Sequence, residues 1–263
     1  MTALPPTDGS LLLSQTIDFH LKCNPTFPMY VFAEEGSERV IVVTFLEFAR
    51  ACHRVAHHVR PRASPQQLGQ VVAIIASCDT IVYQALVLGC IKAGLVPFPI
   101  SPRNSPLAVI GLLKAVDCHR ILGTNTSLKG LFAGIRAEVD KDDETFSVSI
   151  EEIPSLREVY PHLGQERAGD AFSPYPEHLT TAGLSSITLY LHSSGSTGFP
   201  KVIPLTQLAI LQWAALPSVA DIKHSSHRFG SMALPSFHTL GIYFQVLCPI
   251  FAGVTAGVYP PTM

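Results

Sequence analysis

The chain has 263 residues, 47% of them hydrophobic and only 14% charged, enough to enclose a sizeable core and too apolar for a disordered segment. Its 18 basic and 20 acidic residues leave a net charge of −2 with no basic stripe, which argues against nucleic-acid binding. Six cysteines without C-x-x-C spacing, such as Cys90 within an apolar run, read as buried free thiols of a reducing, cytoplasmic setting, not as a zinc site or disulfide framework.

The N-terminus has no basic segment ahead of an apolar core, and Leu11 to Leu13 is too short for a signal peptide. Val40 to Val43 predicts a strand. Thr44 then stands as N-cap to a helix from Phe45 to Val59, where Phe45, Phe48, Cys52, Val55, Ala56 and Val59 recur at helical spacing. On that helix His53, His57 and His58 fall on the polar face and read as solvated side chains, with no metal site suggested. Val71 to Ala76 is a fully apolar strand. Asp79 is placed to cap the next helix, which runs to about Ala93 and stops at Gly94.

Val96 to Ile100 is extended, Ser105-Pro106 starts a helix to about Val116, and His119 to Leu122 is a further short strand. Apolar strands alternating with helices predict an α/β fold with mostly parallel sheets flanked by helices. From Asn125 to about Ser186 the pattern weakens. Lys141-Asp142-Asp143-Glu144 and Phe172 to Pro176 read there as a surface connection.

A clear strand, Ile187 to Leu191, leads into His192-Ser193-Ser194-Gly195-Ser196-Thr197-Gly198-Phe199-Pro200-Lys201. Lys201 to Leu205 is extended again, and Thr206 caps a helix from Gln207 to Leu216. Glycines at 195 and 198 allow positive φ, so successive N–H groups can converge on one anion. Ser194, Ser196 and Thr197 add hydroxyl donors, and Lys201 adds a point charge. The chemistry suits a polyphosphate. It is not the Walker loop, because Lys201 follows proline and precedes valine. A Gly/Ser linker of the same composition is the bland alternative, but linkers seldom lie between two β-rich segments of an apolar domain.

Gly230 to Met263 carries no charged side chain, and Thr239 to Val258 is long enough to cross a bilayer. Pro249 and three glycines break the run, however, and it reads better as a buried helix followed by a buried strand.

Ser194-Gly195-Ser196-Thr197-Gly198-Phe199-Pro200-Lys201 resembles the phosphate-binding signature of the adenylate-forming (AMP-binding) superfamily. Val43 to Phe48, Gly89 to Pro97 and Pro235-Ser236-Phe237-His238-Thr239-Leu240-Gly241 resemble other segments of that superfamily, in the expected order. The resemblance covers roughly residues 30 to 263. It implies ATP-dependent activation of a carboxylic acid as an acyl-adenylate, with ATP and Mg²⁺ as cofactors. It also implies phosphate contacts from Ser193, Ser194, Gly195, Ser196, Thr197, Gly198 and Lys201, and an acyl or adenylate pocket near His238 and Gly241.

His238 and Thr239 stand where amino-acid-activating members carry aspartate, so the resemblance implies an acid without an amine, aromatic by preference, as the expected substrate. Val202 after Lys201 resembles fungal multidomain carboxylate reductases, which implies carrier and reductase domains as partners. On this reading residues 1–263 form a partial adenylation domain, incomplete at the C-terminus. Its first α/β portion spans about 1–186 and its phosphate-loop portion about 187–263. The superfamily's Tyr-Gly-x-Thr-Glu segment, whose glutamate serves Mg²⁺, is absent from these residues, and so is a later catalytic lysine. No catalytic residue or metal ligand is therefore assigned, and adenylation by these residues alone is not expected. The alternative is a shortened, non-catalytic protein that binds nucleotide or a partner. Ile242 to Val258, lacking its usual cover, is expected to be exposed.

Overall fold

In the computed structural model residues 3–34, 36–60, 68–141, 146–176, 183–194, 199–216 and 228–261 are described. Helix α1 (Leu13–Cys23) turns Leu13, Thr16, Ile17 and His20 inward. Strands β1 (Pro28–Ala33) and β2 (Val40–Thr44) pair antiparallel. Thr44 caps α2 (Phe45–Val59) as its sequence predicts. Its hydroxyl accepts from Glu47 N at 3.4 Å, and the Glu47 carboxylate accepts from Thr44 N at 3.0 Å.

Next come β3 (Val71–Ile75), α3 (Thr80–Lys92), β4 (Val96–Pro99), α4 (Pro106–Lys114) and β5 (Arg120–Gly123). Gly94, at φ +76°, takes the left-handed conformation that ends α3. Asp79 occupies the N-cap position of α3, but its side chain makes no capping bond. At α4, Ser105 does cap, through Ala108 N at 3.3 Å.

The segment read as a surface connection is partly structural. It contains α5 (Lys129–Asp140), β6 (Ser149–Glu152) and α6 (Leu156–Val159), and β6 completes a wholly parallel sheet of order β4-β3-β5-β6. The sequence signal is faint for a physical reason. Only Phe132 and Ile135 of α5 are buried, and β6 is a polar edge strand. Farther on, the chain is bolted to α2. Arg50 and Arg54 both reach Glu166, and Arg50 also donates to the carbonyls of Arg167, Ala168 and Asp170. Lys141 is exposed, while residues 142–145 lie outside the described residues.

His53 corrects the solvated reading as well. It is 2% exposed, its Nδ1 accepts from Tyr175 N at 2.9 Å, and its Nε2 donates to Asp18 at 2.8 Å. Asp18 also holds the buried Lys92. His57 lies edge-on to Tyr175 and is half-buried, whereas His58 is exposed as expected.

Strands β7 (Ile187–His192) and β8 (Val202–Thr206) form an antiparallel hairpin that runs beside β4, with Tyr190 5.7 Å from the Phe98 ring. Thr206 then caps α7 (Gln207–Ala214) through Ala209 N. After β9 (Arg228–Gly230) follow α8 (Thr239–Ile242), a π-helical turn (Tyr243–Leu247), α9 (Cys248–Ala252) and β10 (Thr255–Gly257).

Buried helix followed by strand is the reading chosen over a membrane span, and among the described residues no helix is long and apolar enough to cross a membrane. The expected exposure of this run is overturned. Ile242, Val246, Ile250, Phe251, Val254, Ala256 and Val258 are all buried. Strand β10 inserts parallel between β1 and β9, in the order β2-β1-β10-β9, and α9 packs against α1 and α7. All six cysteines are free, and Cys52, Cys90, Cys118 and Cys248 are buried.

Candidate functional site: the tip of the β7–β8 hairpin

The sequence Ser193 to Lys201 connects β7 to β8, whose register ends at the pair His192 and Val202. Ser193 and Lys201 close the base of that connection reciprocally. Ser193 N donates to Lys201 O at 2.9 Å, and Lys201 N donates to Ser193 Oγ at 2.9 Å. The Ser193 hydroxyl accepts there and so keeps its own proton to give. Ser194 and the Lys201 side chain are exposed at the mouth, and Phe199 is 62% exposed beside it. Gly195, Ser196, Thr197 and Gly198 lie outside the described residues.

The donor set among the described residues fits a polyphosphate: hydroxyls and one ammonium, with no competing carboxylate. No acidic residue occurs at 187–216 or 228–263, so these stretches offer no carboxylate ligand for Mg²⁺. Among the described residues no group of three or more His, Cys, Asp or Glu could hold a metal ion.

His192, last residue of β7, sits directly under the loop. Its Nε2 accepts from Ser101 N at 3.0 Å and its Nδ1 donates to Ser193 O at 2.8 Å. Burial holds its pKa below the ordinary 6.5, the bond to Ser193 O opposes this, and the charge of His238 adds to the lowering.

His238 is exposed and is the N-cap of α8, where its Nδ1 accepts from Leu240 N at 3.4 Å. Gly241 is buried for a steric reason. A Cβ there would lie 2.1 Å from Pro235 O, so only glycine lets α8 pack on the backbone of residues 235–236. Of the predicted residues, Ser193 joins Lys201, while His238 and Gly241 share the start of α8.

Sequence reasoning missed the side chains that hold this segment. Gln245, in the π-helical turn, donates to Ser231 O at 3.1 Å and Leu234 O at 2.9 Å. It accepts from Gln84, which also donates to Ser236 O. Both glutamines are almost wholly buried. A lone glutamine amid apolar residues, twice over, was the available signal, and π-turns often accompany such sites. A cavity of about 430 Å³ involving Leu12, Ile91, Ile187 and Gln207 lies at the opposite end of the hairpin and does not coincide with the loop.

Residues 20–263 match the AMP-binding enzyme family. Over 262 residues the chain is 46% identical to the adenylate-forming reductase Nps11 of Serpula lacrymans, covering 98% of this chain and 23% of that protein. It is 41% identical to Nps9 of the same organism, again covering 98% and 23%. A carboxylic acid reductase of Neurospora crassa is 30% identical over 221 residues, which is 78% of this chain and 19% of the relative. The chain thus spans less than a quarter of the length of these relatives.

Among solved structures, the inhibitor-bound N-terminal domain of FACL13 from Mycobacterium tuberculosis superposes with a TM-score of 0.71 at 20% identity. It covers 96% of this chain and 57% of that one. The AMPPNP-bound nonribosomal peptide synthetase FmoA3 gives 0.63 at 16% identity, covering 98% and 24%. At such identities the likeness establishes the fold alone.

Proposed function

The chain belongs to the AMP-binding enzyme family, and on that premise we propose that it supplies the ATP-phosphate grip for activation of a carboxylic acid as an acyl-adenylate. The observation that carries this reading is the hairpin tip closed by the reciprocal Ser193–Lys201 bonds, with hydroxyls and an ammonium at its mouth. Ser193, Ser194, Gly195, Ser196, Thr197, Gly198 and Lys201 would hold the β- and γ-phosphates. The carboxylate of the acid attacks the α-phosphorus, forming the acyl–phosphate bond as the bond to pyrophosphate breaks. Lys201 and the hydroxyls orient the chain of phosphates and offset its charge, which is positioning and electrostatic work. His238 and Gly241 would line the approach of the acid and the adenylate. Mg²⁺ would offset the charge of the bound phosphates, and no ligand for it is assigned among the described residues.

We place the chain with the reductase-type members, on the 46% and 41% relatives, so that carrier and reductase domains act on the activated acid. An acid without an amine, aromatic by preference, fits His238 and Thr239. Residues 1–263 would form a partial adenylation domain, divided near residue 186, that binds ATP without completing turnover. The test is exchange of labelled pyrophosphate into ATP driven by a panel of aryl and aliphatic acids, together with ATP titration. ATP binding that weakens about 10- to 100-fold on Lys201→Ala supports the reading. Carboxylate-dependent exchange by the pure 263-residue chain, lost in Lys201→Ala, would overturn the statement that turnover needs more. Of the second reading, a non-catalytic protein that binds nucleotide or a partner, the partner arm drew on an exposed apolar end, and that end is buried.

A further inference from the structure

We propose that His192 is the positioning residue of the phosphate loop: a neutral imidazole that ties the base of the loop to the end of β4. The inference rests on the polyphosphate reading of the Ser193–Lys201 loop and names the side chain that keeps its base in shape. A backbone N–H only donates. His192 Nε2, 3.0 Å from Ser101 N, is therefore the acceptor, and the ring proton sits on Nδ1, where it reaches Ser193 O at 2.8 Å. Ser193 carries the linkage on, through its N–H and hydroxyl, to both backbone groups of Lys201.

One relay thus runs from Ser101, just past β4, through the imidazole to the two residues that close the hairpin tip. The Phe98 ring stands edge-on at 6.4 Å and limits the swing of the imidazole. Neither a doubly protonated ring nor the other tautomer can make both bonds, because each puts a proton on Nε2 facing the Ser101 N–H. An isosteric aromatic ring fills the same space and makes neither bond. Packing and positioning can therefore be separated by substitution.

The experiment uses the 263-residue chain and its His192→Phe and His192→Gln variants. Nitrogen-15 spectra of the labelled histidines are expected to show His192 as the neutral Nδ1–H tautomer. His192→Phe should speed hydrogen exchange at the Ser101 and Lys201 amides and weaken ATP binding in the presence of Mg²⁺ about ten-fold. His192→Gln, whose amide oxygen can still accept from Ser101 N, should restore protection at Ser101 and most of the affinity. An Nε2–H tautomer, or His192→Phe with both amides still protected, overturns the proposal. If the parent chain fails to bind ATP, the functional reading falls, while the tautomer and amide exchange still decide the role of His192. If His192→Phe does not fold, the parent tautomer and the glutamine variant decide it.

Discussion

Single residues here do work that their neighbours in sequence do not reveal. Glu166 is nearly fully buried and answers two guanidinium groups, Arg50 at 3.0 Å and Arg54 through both of its terminal nitrogens. Taking its carboxylate away leaves the buried Arg50 charge without its counter-ion. We expect Glu166→Ala to cost about 3–5 kcal/mol in urea denaturation, with Glu166→Gln milder. A loss under about 1 kcal/mol would contradict this network. Local rules were legible at this scale: Thr44, Ser105 and Thr206 cap as their positions before apolar periodic runs imply. His53 was not legible, because its partners Asp18 and Tyr175 lie 35 and 122 residues away. A polar helix face says nothing about a distant segment that folds across it.

Whole elements divide along the same line. The strands and helices between Val40 and Gly123 were readable, since each is apolar enough to declare its period. Helix α5 and strand β6 were not, because one has two buried residues and the other is a polar edge. Yet α5 is fastened firmly: Phe132 is 1% exposed and lies over Gly123, where an added Cβ would come within 2.3 Å of its ring. Phe132→Ala is expected to lower stability by about 3–5 kcal/mol, from lost burial plus the cavity left under α5. A change within about 0.5 kcal/mol would mean that α5 is only laid on the surface. The final apolar segment was read correctly as a buried helix then a buried strand, while the separate expectation that missing cover would leave it exposed was wrong. Pairing of β10 with β1 joins residues more than 200 apart, and no local pattern reports it.

Across the molecule, the first helix and the last are joined by one buried histidine. His20 Nε2 donates to Ile250 O at 2.8 Å, its Nδ1 accepts from Asn24, and its ring stacks on Phe45 at 3.9 Å. Burial pushes its pKa down from 6.5 to about 4, against the pull of the Ile250 carbonyl. The unfolded chain therefore takes up a proton first as pH falls. Stability contributed by neutral His20 is complete above about 6.5 and is lost progressively towards about 4, amounting to about 3 kcal/mol. Equilibrium unfolding across that window should show the slope, and His20→Gln should flatten it. An identical slope in both proteins would place the acid lability elsewhere.

The candidate loop stood out in the sequence because glycine, hydroxyl and lysine at short spacing are what a polyphosphate would require, although Gly195 to Gly198 lie outside the described residues. The bonds of His192 to Ser101 N and Ser193 O, and of Gln84 and Gln245 to carbonyls of residues 231–236, were hidden because they go to backbone groups brought near only by folding. Calorimetric titration of the 263-residue chain with ATP and Mg²⁺, beside Lys201→Ala, bears most directly on the hairpin as a polyphosphate grip. We predict saturable one-to-one binding to the parent chain, weakened about 10- to 100-fold in the variant. No binding to a folded parent chain, or equal binding by the two proteins, would contradict it.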